Sequence, residues 1–135
     1  MSDTIWGPAD VTAALIGFFR ARGIEARSRV PLERAPGMVR VTRVGGGPAN
    51  AAQDEAHLVI EVWESSQPAA FDLARSLWAM LAVIDEGDQE AIPGLITYSI
   101  VPDFPVQLPD EFSPELDRAQ FTVTARVAFE EVSIP

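Results

Sequence analysis

The sequence predicts an α+β domain with a mainly antiparallel sheet, two helices packed on one face and a long hairpin arm. Three observations predict it: two segments with helical spacing of apolar residues, a hairpin-like stretch from Val39 to Trp63, and a strongly alternating segment near the carboxyl terminus. The chain has 135 residues, so residues 1–135 are expected to form a single domain with one core.

Two segments have the apolar spacing of amphipathic helices. The first is expected to begin at Pro8, where a missing N–H does no harm, and to end at a Gly23 cap. The second is expected to begin at Pro68 and to be longer. Their apolar stripes are formed by Val11, Leu15, Phe18 and Phe19, and by Ala70, Ala74, Leu77, Trp78, Leu81 and Ile84.

The strands are predicted from alternation of apolar and polar residues. Ile24 to Val30 is expected to be an edge strand that stops at Pro31. Leu95 to Val101 is rich in β-forming residues, and a segment with four prolines then forms an extended crossover without regular structure. Phe121 to Phe129 alternates throughout and predicts a half-buried antiparallel strand.

The central hairpin contains an unusually long connection. Its two strands are separated by twelve residues, Gly45 to Ala56, whereas hairpin loops usually contain two to five. Three consecutive glycines supply mobile backbone and the segment offers no catalytic side chain. We therefore interpret it as a flexible arm that becomes ordered against a partner.

The charge is unevenly distributed along the chain. Residues 1–43 contain seven arginines and four acids, a net +3, whereas residues 44–135 contain three arginines and sixteen acids, a net −13. The net −10 disfavours a protein that reads nucleic-acid sequence, and the two sections favour head-to-tail self-association. The chain has no cysteine, no apolar stretch long enough for a membrane span and no signal-peptide start, so we expect a soluble cytoplasmic product.

No pattern predicts catalysis, a cofactor or a metal. The single histidine, His57, has no second histidine or cysteine beside it and is interpreted as a surface residue. No nucleophile elbow is present, and the glycine run lacks the lysine of a phosphate-binding loop. Trp63 lies at the polar parity of its strand, which indicates an exposed contact residue or, alternatively, a second buried layer. An enzyme is not expected.

The order of these segments resembles the tail terminator proteins of long-tailed, siphovirus-type bacteriophages. The resemblance covers nearly the whole chain in pattern and order. The residues that carry it are the first helix ending at Gly23, RVP at Arg29 to Pro31, VRVTRVGG at Val39 to Gly46, the strand closing on Trp63, the alanine-rich second helix, and DRAQFTVTARV at Asp117 to Val127.

The resemblance implies a structural subunit that forms a homo-hexameric ring on the tail tube protein. Such a ring stops tail polymerisation and presents the surface to which the neck, or head–tail connector, attaches. It lies in the virion at the head-proximal end of the tail, after assembly in the host cytoplasm, and DNA passes through it without sequence-specific binding. The residues expected to contact partners are Arg40 and Arg43 with the arm, including Gly45, Gly46, Gly47, Asp54 and Glu55, and secondarily Arg27, Arg29 and Trp63.

Two alternatives remain open from the sequence. A head–tail connector or neck completion protein has a similar size and also forms rings. A small-ligand-binding domain would need a concave pocket with converging polar groups, for which His57 and Tyr98 are the candidates.

Overall fold

The α+β class predicted from the sequence is confirmed by a computed structural model that describes residues 4–134. These residues form two helices and eight strands. In chain order they are β1 (Ile5–Gly7), α1 (Val11–Arg20), β2 (Glu25–Arg27), β3 (Met38–Pro48), β4 (Gln53–Glu64), α2 (Gln67–Ala82), β5 (Thr97–Pro102), β6 (Val106–Gln107), β7 (Asp117–Ala128) and β8 (Glu130–Val132).

The main sheet has the strand order β2-β3-β4-β7-β5, and β6 also pairs with β7. Every pairing in it is antiparallel except that of β2 with β3, which is parallel. Because β4 occupies one edge of β7 along its whole length, β5 and β6 both lie on the other edge. A separate two-stranded ribbon joins β1 to β8, and the sequence analysis did not predict it.

The core lies between the two helices and one face of the main sheet. Strand register places Val41 beside Ile60 and Ile60 beside Phe121, so the apolar positions of β3, β4 and β7 share that face. The predicted stripe of the first helix is buried against it, and so are Ala70, Ala74, Leu77 and Leu81 of the second. Trp78 is only half-buried, and Ile84 is half-buried beyond the end of α2. The other face, which we call the open face, carries half-buried or exposed side chains at its centre, among them Thr42, Val59, Thr122 and Thr124.

The predicted start of the first helix is wrong, whereas the predicted closure at Gly23 is confirmed. Helix α1 begins at Val11 because the side chain of Asp10 accepts a hydrogen bond from the Ala13 N–H at 3.0 Å. Its last regular residue is Arg20, and Gly23 with φ +81° caps the turn that follows. The Gly23 N–H donates to the Arg20 carbonyl oxygen at 3.0 Å, and the Ile24 N–H donates to the Phe19 carbonyl oxygen at 3.1 Å. The predicted start of the second helix is confirmed within one residue, since Pro68 lies in the first turn after the Ser66 cap.

The prediction of a twelve-residue flexible arm is also wrong. Strand β3 continues through Gly45 to Pro48 and β4 begins at Gln53, so only residues 49–52 connect them. The added part of β4 is ordered because it pairs with β3 on one side and with β7 on the other. The glycines accommodate a bulge after Arg43 and a positive φ of +104° at Gly46.

Two other strand predictions need correction. The predicted edge strand from Ile24 to Val30 is confirmed as an edge, but β2 contains only Glu25–Arg27. The segment with four prolines was expected to lack regular structure, yet β6 pairs with β7 in its middle. Proline lacks the N–H group that strand pairing needs, so the prolines keep this strand short. Val106 and Gln107 have their N–H groups and can pair with β7.

Candidate functional site

The predicted contact residues do not form one surface. Arg40 and Trp63 lie at one end of the sheet, whereas Arg43, Asp54 and Glu55 lie toward the hairpin tip. Trp63 and Asp54 are nine residues apart on β4, about 30 Å along a strand. Arg27 and Arg29 lie on or just after the edge strand β2.

Arg43 and Asp54 are partners of each other. The Arg43 guanidinium donates from Nη1 and Nη2 to the two carboxylate oxygens of Asp54, at 2.6 and 2.8 Å, and the carboxylate is buried. This hydrogen bonding raises the pKa of Arg43, burial opposes the rise, and the charge of Asp54 adds to it. The pair therefore joins β3 to β4 within the subunit, and Asp54 is not the exposed contact that the sequence suggested.

Glu55 belongs to a small polar group on the open face. Its carboxylate lies 3.6 Å from Nε2 of His57 and 3.4 Å from Nη2 of Arg126. All three side chains are partly exposed, at 39–48%, so these contacts add little stability. His57 is exposed, as predicted. Residues 4–134 contain no group of three or more histidine, cysteine, aspartate or glutamate side chains that could hold a metal ion.

The interpretation of Trp63 as an exposed contact is wrong. Its side chain is on the open face, as its parity requires, but it is 0% exposed. The segment from Leu108 to Leu116, which we call the covering loop, lies over it, and the indole Nε1 donates to Asp110 Oδ2 at 2.8 Å. The guanidinium groups of Arg34 and Arg40 each lie 5.5 Å from the ring. The sequence analysis offered a second buried layer as the alternative, and the covering loop forms such a layer at this end of the sheet.

Glu61 connects two arginines beside Trp63. Its carboxylate is buried, with one oxygen 2.7 Å from Nη2 of Arg40 and the other 3.0 Å from Nη1 of Arg118. Arg118 also donates to the carbonyl oxygens of Leu108 and Pro109, both at 3.0 Å. Glu61 and Arg118 thus hold the covering loop on the open face.

These groups surround a shallow cavity of about 420 Å³ that we call the arginine cleft. Three guanidinium groups converge on it from distant parts of the sequence, and its lining residues are Arg34, Arg40, Pro109, Asp110, Glu111, Phe112 and Arg118. Of these lining residues, the sequence analysis chose only Arg40 as a contact residue. Arg34 and Arg118 carried no local signal because they are 84 positions apart and meet only through the sheet and the covering loop.

A second exposed feature follows the free edge of β5 and β6. Five large apolar side chains within twelve residues are exposed, and we call them the edge ribbon: Val101, Phe104, Val106, Leu108 and Phe112. Phe104 is 78% exposed although its ring packs against Trp78 with centroids 5.4 Å apart. The half-buried Trp78 also donates from Nε1 to the Pro102 carbonyl oxygen at 3.2 Å.

The pocket suggested for a small ligand is not assembled from the predicted pair. Tyr98 lines a cavity of about 280 Å³ together with Trp6, Ala51, Ala52, Ala128 and Phe129, and His57 does not line it. The lining supplies one hydroxyl group and little other polar chemistry, so this cavity favours no particular ligand class.

Comparison with known proteins identifies no family for this chain. No protein-family model matches the sequence, and no curated protein matches it. Neither helix within residues 4–134 is long and apolar enough to cross a membrane.

Asp110 is expected to make folding stability depend on pH. Burial alone would raise its pKa, but hydrogen bonds from the Trp63 indole and the Phe112 N–H, together with Arg34 and Arg118, hold the pKa below its ordinary value. A lowered folded-state pKa gives stability that is present above the unfolded pKa of about 3.9 and is lost as pH falls through the folded value.

The test compares urea unfolding of the wild-type protein and Asp110→Asn between pH 7 and pH 3. The stability difference between the two should be constant down to about pH 5 and then shrink as Asp110 becomes protonated in the unfolded chain. A difference that stays constant to pH 3 would contradict the lowered pKa.

Proposed function

We propose that this protein is a structural virion subunit that caps the tail tube of a long-tailed bacteriophage as a homo-hexameric ring. The ring stops tail polymerisation, forms the surface for head attachment and lies at the head-proximal end of the tail. Assembly takes place in the host cytoplasm. The observation that carries the proposal is the edge ribbon beside the arginine cleft, because this combined surface lacks a partner within residues 4–134.

The edge ribbon supports a role in assembly. Single exposed apolar side chains are common on soluble proteins, but several large ones close together in the chain beside a free sheet edge are typical of a protein interface. Phe104 and Phe112 are 78% and 63% exposed, and aromatic side chains contribute strongly when an interface buries them. A subunit that associates along this edge would also protect it from uncontrolled strand pairing.

The position of this surface supports a ring rather than a two-fold dimer. The edge ribbon and the cleft adjoin at Phe112 on one side of the molecule, where the local charge is mixed, while the exposed acidic residues after α2 lie on the helix side. A closed ring needs two different patches on each subunit, whereas a two-fold contact uses the same patch twice. The net charge of −10 per subunit also suits a channel through which DNA passes without binding.

The test is tail length, measured by electron microscopy in particles made with and without the gene. Loss of the protein should produce overlong tails without heads, and supplying the gene in trans should restore normal length. Tails of normal length that fail to join heads would favour the head–tail connector instead. Unchanged particles would refute both virion functions.

A further inference from the structure

We infer that the arginine cleft receives carboxylate side chains from the acidic loop, residues 85–90, of the neighbouring copy in the ring. This inference rests on the proposed ring and names the residues of its contact. The cleft supplies cationic and aromatic groups, and the loop supplies carboxylates next to exposed apolar side chains.

The cleft has donors left for an incoming carboxylate. Within the described residues, Arg40 uses Nε and Nη2 for Glu61, which leaves its Nη1 unused. Arg34 donates from Nη1 to the carbonyl oxygens of Pro31 and Leu32. Its buried Nε lies 3.3 Å from Asp110 Oδ2 without a hydrogen bond, and its Nη2 makes no hydrogen bond within the described residues. Two planar guanidinium groups held by their other contacts suit recognition of a carboxylate.

The charge of the cleft also favours an incoming anion. Three guanidinium groups face two buried carboxylates, those of Glu61 and Asp110. Glu111 lines the exposed rim and is the remaining carboxylate there. It therefore opposes an anionic ligand, so removing its charge should strengthen binding. Stronger binding after loss of the Glu111 charge would distinguish a binding cleft from a network that only stabilises the fold.

The acidic loop has the complementary composition. Its four acids, Asp85, Glu86, Asp88 and Glu90, are exposed and make no ion pair with an arginine within the described residues. Val83 precedes the loop and is 75% exposed, and Phe112 at the cleft is 63% exposed. An apolar contact beside a charge-assisted hydrogen bond is the usual construction of a protein interface.

The two surfaces face different directions, as a ring requires. The acidic loop follows α2 on the helix side of the sheet and reaches β5 where the Thr97 N–H donates to the Gln89 carbonyl oxygen. Thr97 pairs with Val127 near the hairpin tip, whereas the cleft lies on the open face at the opposite end, beside Arg118. One subunit cannot join its own loop to its own cleft, so the contact is intermolecular and heterologous.

The experiment measures molar mass against concentration by light scattering for the full-length protein and three variants. Asp85→Asn/Glu86→Gln removes two charges from the loop, and Glu25→Gln/Glu131→Gln removes two exposed charges outside the loop and the cleft as the matched control. We expect the loop variant to need at least about tenfold more protein to assemble, and the control to match the wild type. Glu111→Gln should assemble at lower concentration than the wild type.

Complementation of tail length with the same variants separates the two proposals. If gene loss lengthens tails and the loop variant restores normal length as well as the control does, the cleft contact is refuted and the ring function stands. If gene loss leaves tails unchanged, the ring function itself fails. Stabilisation by inorganic phosphate that Arg40→Gln abolishes, with equal assembly of the loop variant and the control, would instead assign the cleft to a free anion and refute the contact.

Discussion

Replacing Trp63 with alanine should lower the free energy of unfolding by about 3–5 kcal/mol, the range for truncating a large buried aromatic side chain. The ring is fully buried between the open face and the covering loop, so its removal leaves a cavity that the rigid strand β4 cannot close. Asp110 would also lose its indole donor, and Arg34 and Arg40 would lose the ring they stack against. Urea unfolding followed by circular dichroism measures the loss.

Two variants separate the contributions at this position. Trp63→Phe keeps most of the apolar contact but removes the N–H, so a smaller loss of about 1–3 kcal/mol is expected from the unsatisfied Asp110 carboxylate. Trp78→Phe is the control, because Trp78 is half-buried and its hydrogen bond to Pro102 is longer, at 3.2 Å. A Trp63→Ala loss below about 1 kcal/mol would show that the covering loop does not enclose the ring.

Replacing Gly46 with alanine should have the second large effect. Gly46 has a φ of +104°, and a Cβ there would lie 2.0 Å from the Glu55 carbonyl oxygen in the paired strand. The obstructing atom is backbone, so a side-chain rotation cannot relieve the clash. Because the backbone strain alone is worth about 1–3 kcal/mol, we expect a total loss of at least about 2 kcal/mol, measured by urea unfolding.

Gly47→Ala is the matched control for Gly46→Ala. The two residues are adjacent in β3, but a Cβ on Gly47 has no atom within 4 Å and its φ is not in the left-handed region. The control should therefore change stability by less than about 1 kcal/mol. Equal effects of the two substitutions would mean that the hairpin tip is a loose arm, as the glycine run first suggested, rather than a paired strand.

The apolar periodicity predicted most of the fold. The first helical stripe and four of the six residues of the second are buried where the spacing placed them, and the alternating positions from Phe121 to Val127 face the core from the middle of the sheet. These predictions succeeded because burial of a stripe or a strand face depends mainly on local spacing. The prediction for the hairpin tip failed because the glycines Gly45 to Gly47 have only a weak strand preference of their own. Pairing with the neighbouring strand β4 orders them.

The contact residues were harder to predict because their environment comes from remote segments. Arg40 and Arg43 are neighbours in β3, yet Glu61 engages one and Asp54 the other. The strand parity of Trp63 was read correctly, but a loop 47 residues later in the chain covers that face. Exposure is therefore a property of the assembled layers, which strand alternation alone does not determine.

The sequence by itself determined the α+β class, the single core, the two amphipathic helices, the net negative charge and its division between the two sections of the chain. These follow from residue spacing and composition, which act within one element at a time. Only the tertiary structure decided that the hairpin tip is paired, that Trp63 is buried and that three arginines separated along the chain converge on one cleft. Those features depend on long-range strand register and loop placement, where side chains meet partners that no local pattern specifies.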